Sequence, residues 1–293
     1  MHPVVIAGCG YVGERLARGY LAGGQAPLCT VRSAEHAQRL ESAGLLTRVC
    51  SLDDVSALPS LECGGAVLFY LVPPPGGGTS DTRAANFIAL LRSAEPPRKI
   101  IYMSATSVYN ETSGGVVTES SPAEPASAMG KRRLDAERSF QAYGAEAGVP
   151  VIILRVSGIY GPGRLPLMQI SQGQPLLAEA ESGLSNRIHV DDLVAICRAA
   201  ADQVDEDDLF NVSDGHPSSM TSYFNLCADC LGYPRQPQVS MSEAHQLMSP
   251  LMLSYVRESR CVDSSRMIEK LGISLLHPDM HHGVPVSCTQ QKV

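Results

Sequence analysis

No stretch of this 293-residue chain is apolar for long enough to span a membrane, and no block of lysine and arginine marks a nucleic-acid face. Basic residues number 23 against 30 acidic ones, a formal net charge of −7. Neither nucleic acid nor a membrane is therefore expected as a partner. A secretory leader is not expected either, because the first apolar run, VVIAGCG, breaks at glycine. A metal-ligand pattern is lacking as well. Cys227 and Cys230 have CxxC spacing, but no second pair and no spaced histidine pair accompanies them. The adjacent His281 and His282 are badly placed to share one ion, so no metal is expected. The 9 cysteines are an odd and scattered set, and Cys9, Cys29 and Cys50 lie in or beside apolar runs. They read as reduced, buried side chains of a cytoplasmic protein.

What is present is alternation. Short aliphatic runs at 4–8, 27–31, 45–50, 66–72, 99–105 and 149–161 alternate with helical periods at 11–23, 34–43, 82–94 and 129–148. Strands and helices of these lengths imply an α/β fold, with a doubly wound parallel sheet covered on both faces. After residue 161 the elements shorten, although 191–203 reads as a helix and 208–214 as a strand. The expected organisation is a dinucleotide-binding Rossmann domain over 1–165 and a smaller substrate lobe over 166–293. The segment at about 190–215 is expected to return to the sheet. The last residues, roughly 277–293, read as poorly ordered.

The chemistry begins at GCGYVGERL, residues 8–16, which ends the first strand and opens the first helix. Gly8, Gly10 and Gly13 have GxGxxG spacing. One glycine makes the turn, one admits a pyrophosphate to the backbone, and one lets the helix approach the strand. Tyr11 and Val12 complete the helix N-terminus, whose amides favour anions. A dinucleotide is the expected cofactor. An acidic residue normally follows the second strand to hold the ribose of NAD, but here Arg32 follows Val31. A guanidinium suits a 2′-phosphate, which favours NADP and leaves NAD open. Asp53, after the third strand, either accepts from the adenine amino group or caps a turn with Asp54. Val72 lies in the loop LVPPPGGG at 71–78, which walls the nicotinamide side, forms part of a lid, or lies free on the surface.

With these pieces in order, the sequence resembles the extended short-chain dehydrogenase/reductase superfamily, of the NAD-dependent epimerase/dehydratase type. The resemblance rests on GCGYVG, on MSATSVYN at 103–110, on LRVSGIYGPGR at 154–164 and on NRIHVDDLVAIC at 186–197. It implies a Rossmann domain with a small C-terminal substrate lobe. It also implies a serine, a tyrosine and a lysine in YxxxK. All three are altered here. The serine position falls on Ala105, between Ser104 and Thr106, while the tyrosine and lysine positions fall on Met129 and Arg133. A shifted register gives Ser127 and Lys131, still without tyrosine. Methionine donates no proton, and arginine is no base.

Candidate catalytic residues are therefore Thr106, Tyr109 and Arg133, with Ser104 beside the cofactor. Arg164 and Arg187 are candidates for an anionic group of the substrate. The arginines of SYVRESRCVD (254–263) read as a surface salt-bridge set, and His189 as a structural hydrogen-bonder. The implied activity is oxidation, reduction or epimerisation of a small carbonyl or sugar-like compound by a monomer or homodimer. The competing reading is a dinucleotide-binding sensor without catalysis.

Overall fold

Seven strands pair into one sheet: β1 (Val4–Ala7), β2 (Leu28–Val31), β3 (Leu46–Val49), β4 (Val67–Tyr70), β5 (Lys99–Ala105), β6 (Val151–Val156) and β7 (Asp208–Val212). The computed structural model describes residues 2–54, 61–248, 252–253, 256 and 259–291. The strand order is β7-β6-β5-β4-β1-β2-β3, and the pairings among β1 to β5 are parallel. This is the doubly wound order, in which the chain reverses direction of travel between β1 and β4.

Alternation along each strand sends successive side chains to opposite faces. Val5, Ala7, Leu68, Tyr70, Ile100 and Tyr102 share one buried cluster with Phe87 of α3 (Thr82–Arg92) and Phe140 of α4 (Ala128–Ala147). Phe69 points the other way and meets Tyr20 of α1 (Tyr11–Ala22), with ring centroids 6.0 Å apart. Both faces of β1 and β4 are thus buried, which is why those strands read as unbroken apolar runs. The edge strand β3 leaves Leu46 and Val49 exposed.

Polar side chains end the helices. Ser33 Oγ accepts from His36 N at the start of α2 (Ala34–Glu41), and Asp81 Oδ1 accepts from Ala84 N at the start of α3. A buried ammonium finishes α5 (Val190–Gln203): Lys99 Nζ donates to Ala201 O at 2.8 Å and also to Val204 O.

The chain divides into two compact units. The first holds Met1–Asn110, Pro122–Arg155 and Leu193–Phe210; the second holds Glu111–Ser121, Val156–Asp192 and Asn211–Val293. In the second, Gly158–Tyr160 pairs in parallel with Arg187–His189, and Val116–Val117 pairs in parallel with Cys261–Val262. The run expected as one strand at 149–161 is therefore divided at Ser157. That residue's N–H bonds to Val212 O, while Gly158–Tyr160 takes a different partner strand.

The C-terminal segment also departs from expectation. Met280–Gln291 is a helix, not a disordered tail. Met280, Val284 and Cys288 recur at helical spacing and lie in one core cluster with Tyr160, Tyr223 and Phe224. Gly283 and Pro285 hide that period in the sequence, and Gly283 is needed: a side chain there would strike the Tyr160 hydroxyl. Cys227 and Cys230 sit on the helix Met220–Leu231, and all 9 cysteines are free.

Candidate functional site

Each glycine of the first turn does a separate job in the first unit. Gly8 has φ of +89°, and a Cβ there would lie 2.9 Å from Val72 N and Val72 Cγ2. Only glycine permits this turn against β4. A Cβ on Gly13 would lie 2.8 Å from Gly8 O and 3.2 Å from Ile6 Cγ2, so α1 rests directly on β1. A Cβ on Gly10 would meet no protein atom within 4 Å. Packing therefore does not require glycine at that position. Gly10 is also the N-cap of α1 and offers the first-turn amides no side-chain acceptor. The loop is held by Thr30 of β2, whose Oγ1 accepts from Gly8 N at 3.1 Å and whose O accepts from Cys9 N at 2.9 Å. Tyr11 lies under Arg15, whose guanidinium stands 4.0 Å from the ring centroid, and Val12 is buried.

At the end of β2, Arg32 is exposed and forms no hydrogen bond or ion pair among the described residues. Asp53 is differently placed. Both its oxygens are held by Arg83, from Nε at 2.6 Å and Nη2 at 2.8 Å, and Arg83 holds its carboxyl below the usual range. Arg83 Nη1 also donates to Pro73 O at 3.0 Å, and Arg132 Nη1 donates to Gly77 O and Gly78 O at 3.0 and 2.7 Å. The loop after Val72 is thus tied down near both ends by arginines that no motif marks.

The positions that carry chemistry in the resembling family come together at the carboxyl end of β5. A Cβ on Gly130 would sit on Ser107 O, so this glycine brings the start of α4 against the turn Thr106–Val108. Thr106 is half-buried on that turn, while Met129 is 38% exposed. Arg133, one helical turn on, donates from Nη1 to Met103 O at 2.9 Å. Beside it, burial pushes the Tyr102 phenol up to about 12, against the opposing pull of Arg133. Tyr102 therefore stays protonated at neutral pH.

Tyr109 and Ser104 are spent in a buried network. Ser104 Oγ donates to Glu137 Oε1 at 2.5 Å, Arg155 binds both Glu137 oxygens, and Arg155 Nη1 donates to Tyr109 OH at 3.0 Å. Tyr109 is 2% exposed. Glu137 anchors all of this, and in the sequence it marks only the alignment of this helix with the resembling family.

In the second unit, Arg164 is exposed after the turn at Gly163, where φ is +78°. Arg187 is buried. Its guanidinium donates to Ser218 Oγ at 2.6 Å and Ser185 Oγ at 2.9 Å, and lies 4.3 Å from the Tyr223 ring centroid. All these partners are neutral, and burial lowers its pKa. Nearby Asp214 is pushed up to about 6 by burial, which its hydrogen bond from His216 N and the Arg187 charge only partly offset. Of the arginines at 254–263, Arg257 lies outside the described residues, while Arg260 is buried and donates to Glu111 O at 3.2 Å. Among the described residues no helix is long and apolar enough to cross a membrane.

Residues 76–213 match the model of the NAD dependent epimerase/dehydratase family. Protein YeeZ of Escherichia coli K12 is 25% identical over 291 residues, covering 95% of this chain and 97% of that protein. A functionally unknown conserved protein from Silicibacter pomeroyi DSS superposes with a TM-score of 0.86 at 26% identity, over 100% of both chains. MoeE5, solved in complex with UDP-glucose and NAD, superposes with a TM-score of 0.77 at 21% identity, over 99% of this chain and 98% of that one. This last likeness is one of fold.

Proposed function

We propose that this chain, whose residues 76–213 match the NAD dependent epimerase/dehydratase family model, is an NAD(P)-dependent oxidoreductase or epimerase that acts on a small carbonyl or sugar-like compound through a non-standard set of catalytic side chains. The observation that carries this reading is the contrast within the glycine turn. Gly8 and Gly13 are required by protein contacts, whereas the space at Gly10 is open. Gly8, Gly10, Tyr11, Val12 and Gly13 would hold the pyrophosphate, with Val72 lining the turn. Arg32, exposed and unpaired among the described residues, would take a 2′-phosphate, so NADP is the proposed cofactor. Asp53, already bound by Arg83, would contribute through the shape of that pair rather than as a free acceptor. A bound nicotinamide supplies the hydride chemistry.

The protein's own part is orientation and charge. Thr106 offers a hydroxyl at the carboxyl edge of the sheet, and Arg133 offers a fixed positive charge that stabilises an oxygen gaining negative charge. Tyr109 and Ser104 position that edge through Arg155 and Glu137. Arg164, exposed in the second unit, would meet an anionic group of the substrate, and Arg187, buried against Ser185, Ser218 and Ser219, would serve structurally. MoeE5 holds UDP-glucose, and a sugar nucleotide is the first substrate class to try.

The second reading is a dinucleotide-binding sensor, favoured by Met129 at the position of the proton donor. Calorimetric titration with NADP⁺, NADPH, NAD⁺ and NADH, followed by a turnover screen on sugar nucleotides and small carbonyls, separates the two. Binding with turnover supports the enzyme. Binding of one redox form without turnover supports the sensor. Absence of binding by all four removes both.

A further inference from the structure

His189, Asp191 and His277 each bring one ligand-type atom into a group whose members lie within 4.8 Å of one another, all in the second unit. Asp191 Oδ2 is 3.7 Å from His189 Nδ1 and 3.8 Å from His277 Nε2. Ligands around a tetrahedral zinc at about 2.0–2.2 Å are separated by roughly 3.3–3.5 Å. The two carboxylate distances are within a few tenths of an ångström of that spacing, and the His189 and His277 rings, whose centroids are 3.8 Å apart, would have to open to admit the ion.

The surroundings prepare both rings for this role. Ser287 Oγ donates its proton to Gly283 O at 2.7 Å, so toward His189 Nε2, at 3.2 Å, the hydroxyl oxygen accepts. Nε2 of His189 therefore carries the proton, and Nδ1 presents a lone pair on the side of Asp191. That lone pair faces Asp191 N–H at 3.2 Å, a weak bond that an ion would replace. A ring nitrogen held through its opposite N–H is the usual outer arrangement of a metal-bound histidine.

His277 supplies the stronger sign. It is 3% exposed, and its Nε2 is buried with no hydrogen-bond partner among the described residues. An unsatisfied buried polar atom is costly, and this one lies on the side of Asp191. The ring does not arrive there by chance. Both oxygens of Asp192 accept backbone N–H groups, from Leu276 at 2.6 Å and His277 at 3.0 Å. On its other side, His277 Nδ1 lies 3.2 Å from His282 Nδ1. The Asp191 side chain is 44% exposed, which leaves an entry path and a fourth position for water.

We propose that His189 Nδ1, His277 Nε2 and the Asp191 carboxylate bind one divalent transition-metal ion of the zinc type, which ties the segment around His277 to the start of α5. The site is separate from the dinucleotide turn and does not depend on the function proposed above.

The test uses the tag-free full chain, stripped with a chelator and titrated with Zn²⁺ and Co²⁺. The expected result is one equivalent bound, a rise in Tm, and cobalt d–d bands of a tetrahedral site without thiolate-to-cobalt charge transfer. His277→Ala and Asp191→Asn should each weaken binding by at least about tenfold. Asp191→Asn changes an exposed side chain and keeps the fold, so the test stands even if the histidine variant is unstable. Thiolate charge transfer, unchanged affinity in Asp191→Asn, or no binding by the unmodified chain would each overturn the proposal.

Discussion

Arg155 grips both oxygens of Glu137, at 3.0 and 2.7 Å, with both side chains almost wholly out of solvent. A pair of this kind is costly to break from one side, because the survivor keeps a buried charge without its partner. Glu137→Ala and Arg155→Ala are each expected to lower unfolding free energy by about 3–5 kcal/mol. The double replacement Glu137→Leu with Arg155→Met should lose less than the sum of the two. Urea unfolding of the four proteins checks this, and simple additivity would sink it.

The glycine turn separates stability from binding. Gly10→Val is expected to leave Tm nearly unchanged and to weaken dinucleotide binding by on the order of 100-fold, because a Cβ there meets no protein atom within 4 Å and the added side chain would enter the space proposed for the anion. Gly13→Ala should lower stability by about 1–3 kcal/mol, since its Cβ would press on Gly8 O and Ile6. Thermal melts and calorimetry on both variants decide. A Gly10 variant that binds normally would remove the turn from the site.

Arg133 and Met129 should differ although they stand one helical turn apart. Met129→Ala is expected to leave dinucleotide affinity within about twofold, since the side chain is partly exposed. Arg133→Ala removes the hydrogen bond to Met103 O and a fixed charge at the end of β5. It should lower kcat by about tenfold to a hundredfold on any substrate found, with a smaller change in affinity. Equal losses of affinity in the two variants would contradict this placement.

Asp214 gives a pH signature. Its pKa is raised to about 6 in the folded chain from 3.8, so the folded state holds the proton more tightly than the unfolded one. The resulting stability is full below pH 3.8 and is lost as pH rises toward about 6. The effect is on the order of 3 kcal/mol at most. Asp214→Asn keeps an oxygen for His216 N and should flatten stability across that window. A variant with the pH slope of the unmodified chain would show that another group is responsible.

Much of the first unit was legible because its information is local. A parallel strand buried on both faces is an apolar run, and the glycine turn is contiguous. The helix at Met280–Gln291 was not, because glycine and proline interrupt a period whose buried members include Ser287. Glu137 shows in the sequence as a position where the helix aligns with the resembling family, but not as an ion-pair partner. Its meaning depends on Arg155, 18 residues away on a strand, and on Ser104, 33 residues away on another. Likewise the arginine pins on the loop after Val72 come from two helices, and no spacing rule reaches across them. His277 carries no signal in the sequence, because His189 and Asp191, which it meets in the fold, lie far back in the chain.

The ammonium of Lys99 fixes an order of events during synthesis. It is 2% exposed and needs the carbonyls of Ala201 and Val204. When the ribosome has delivered β5, those acceptors do not yet exist. The lysine must stay hydrated, and the sheet must keep an open edge, until α5 and β7 have emerged. Domains fold as units during translation, and this one cannot close until the chain has been made to Phe210. The nascent protein therefore has a long interval in which a half-built sheet needs shelter.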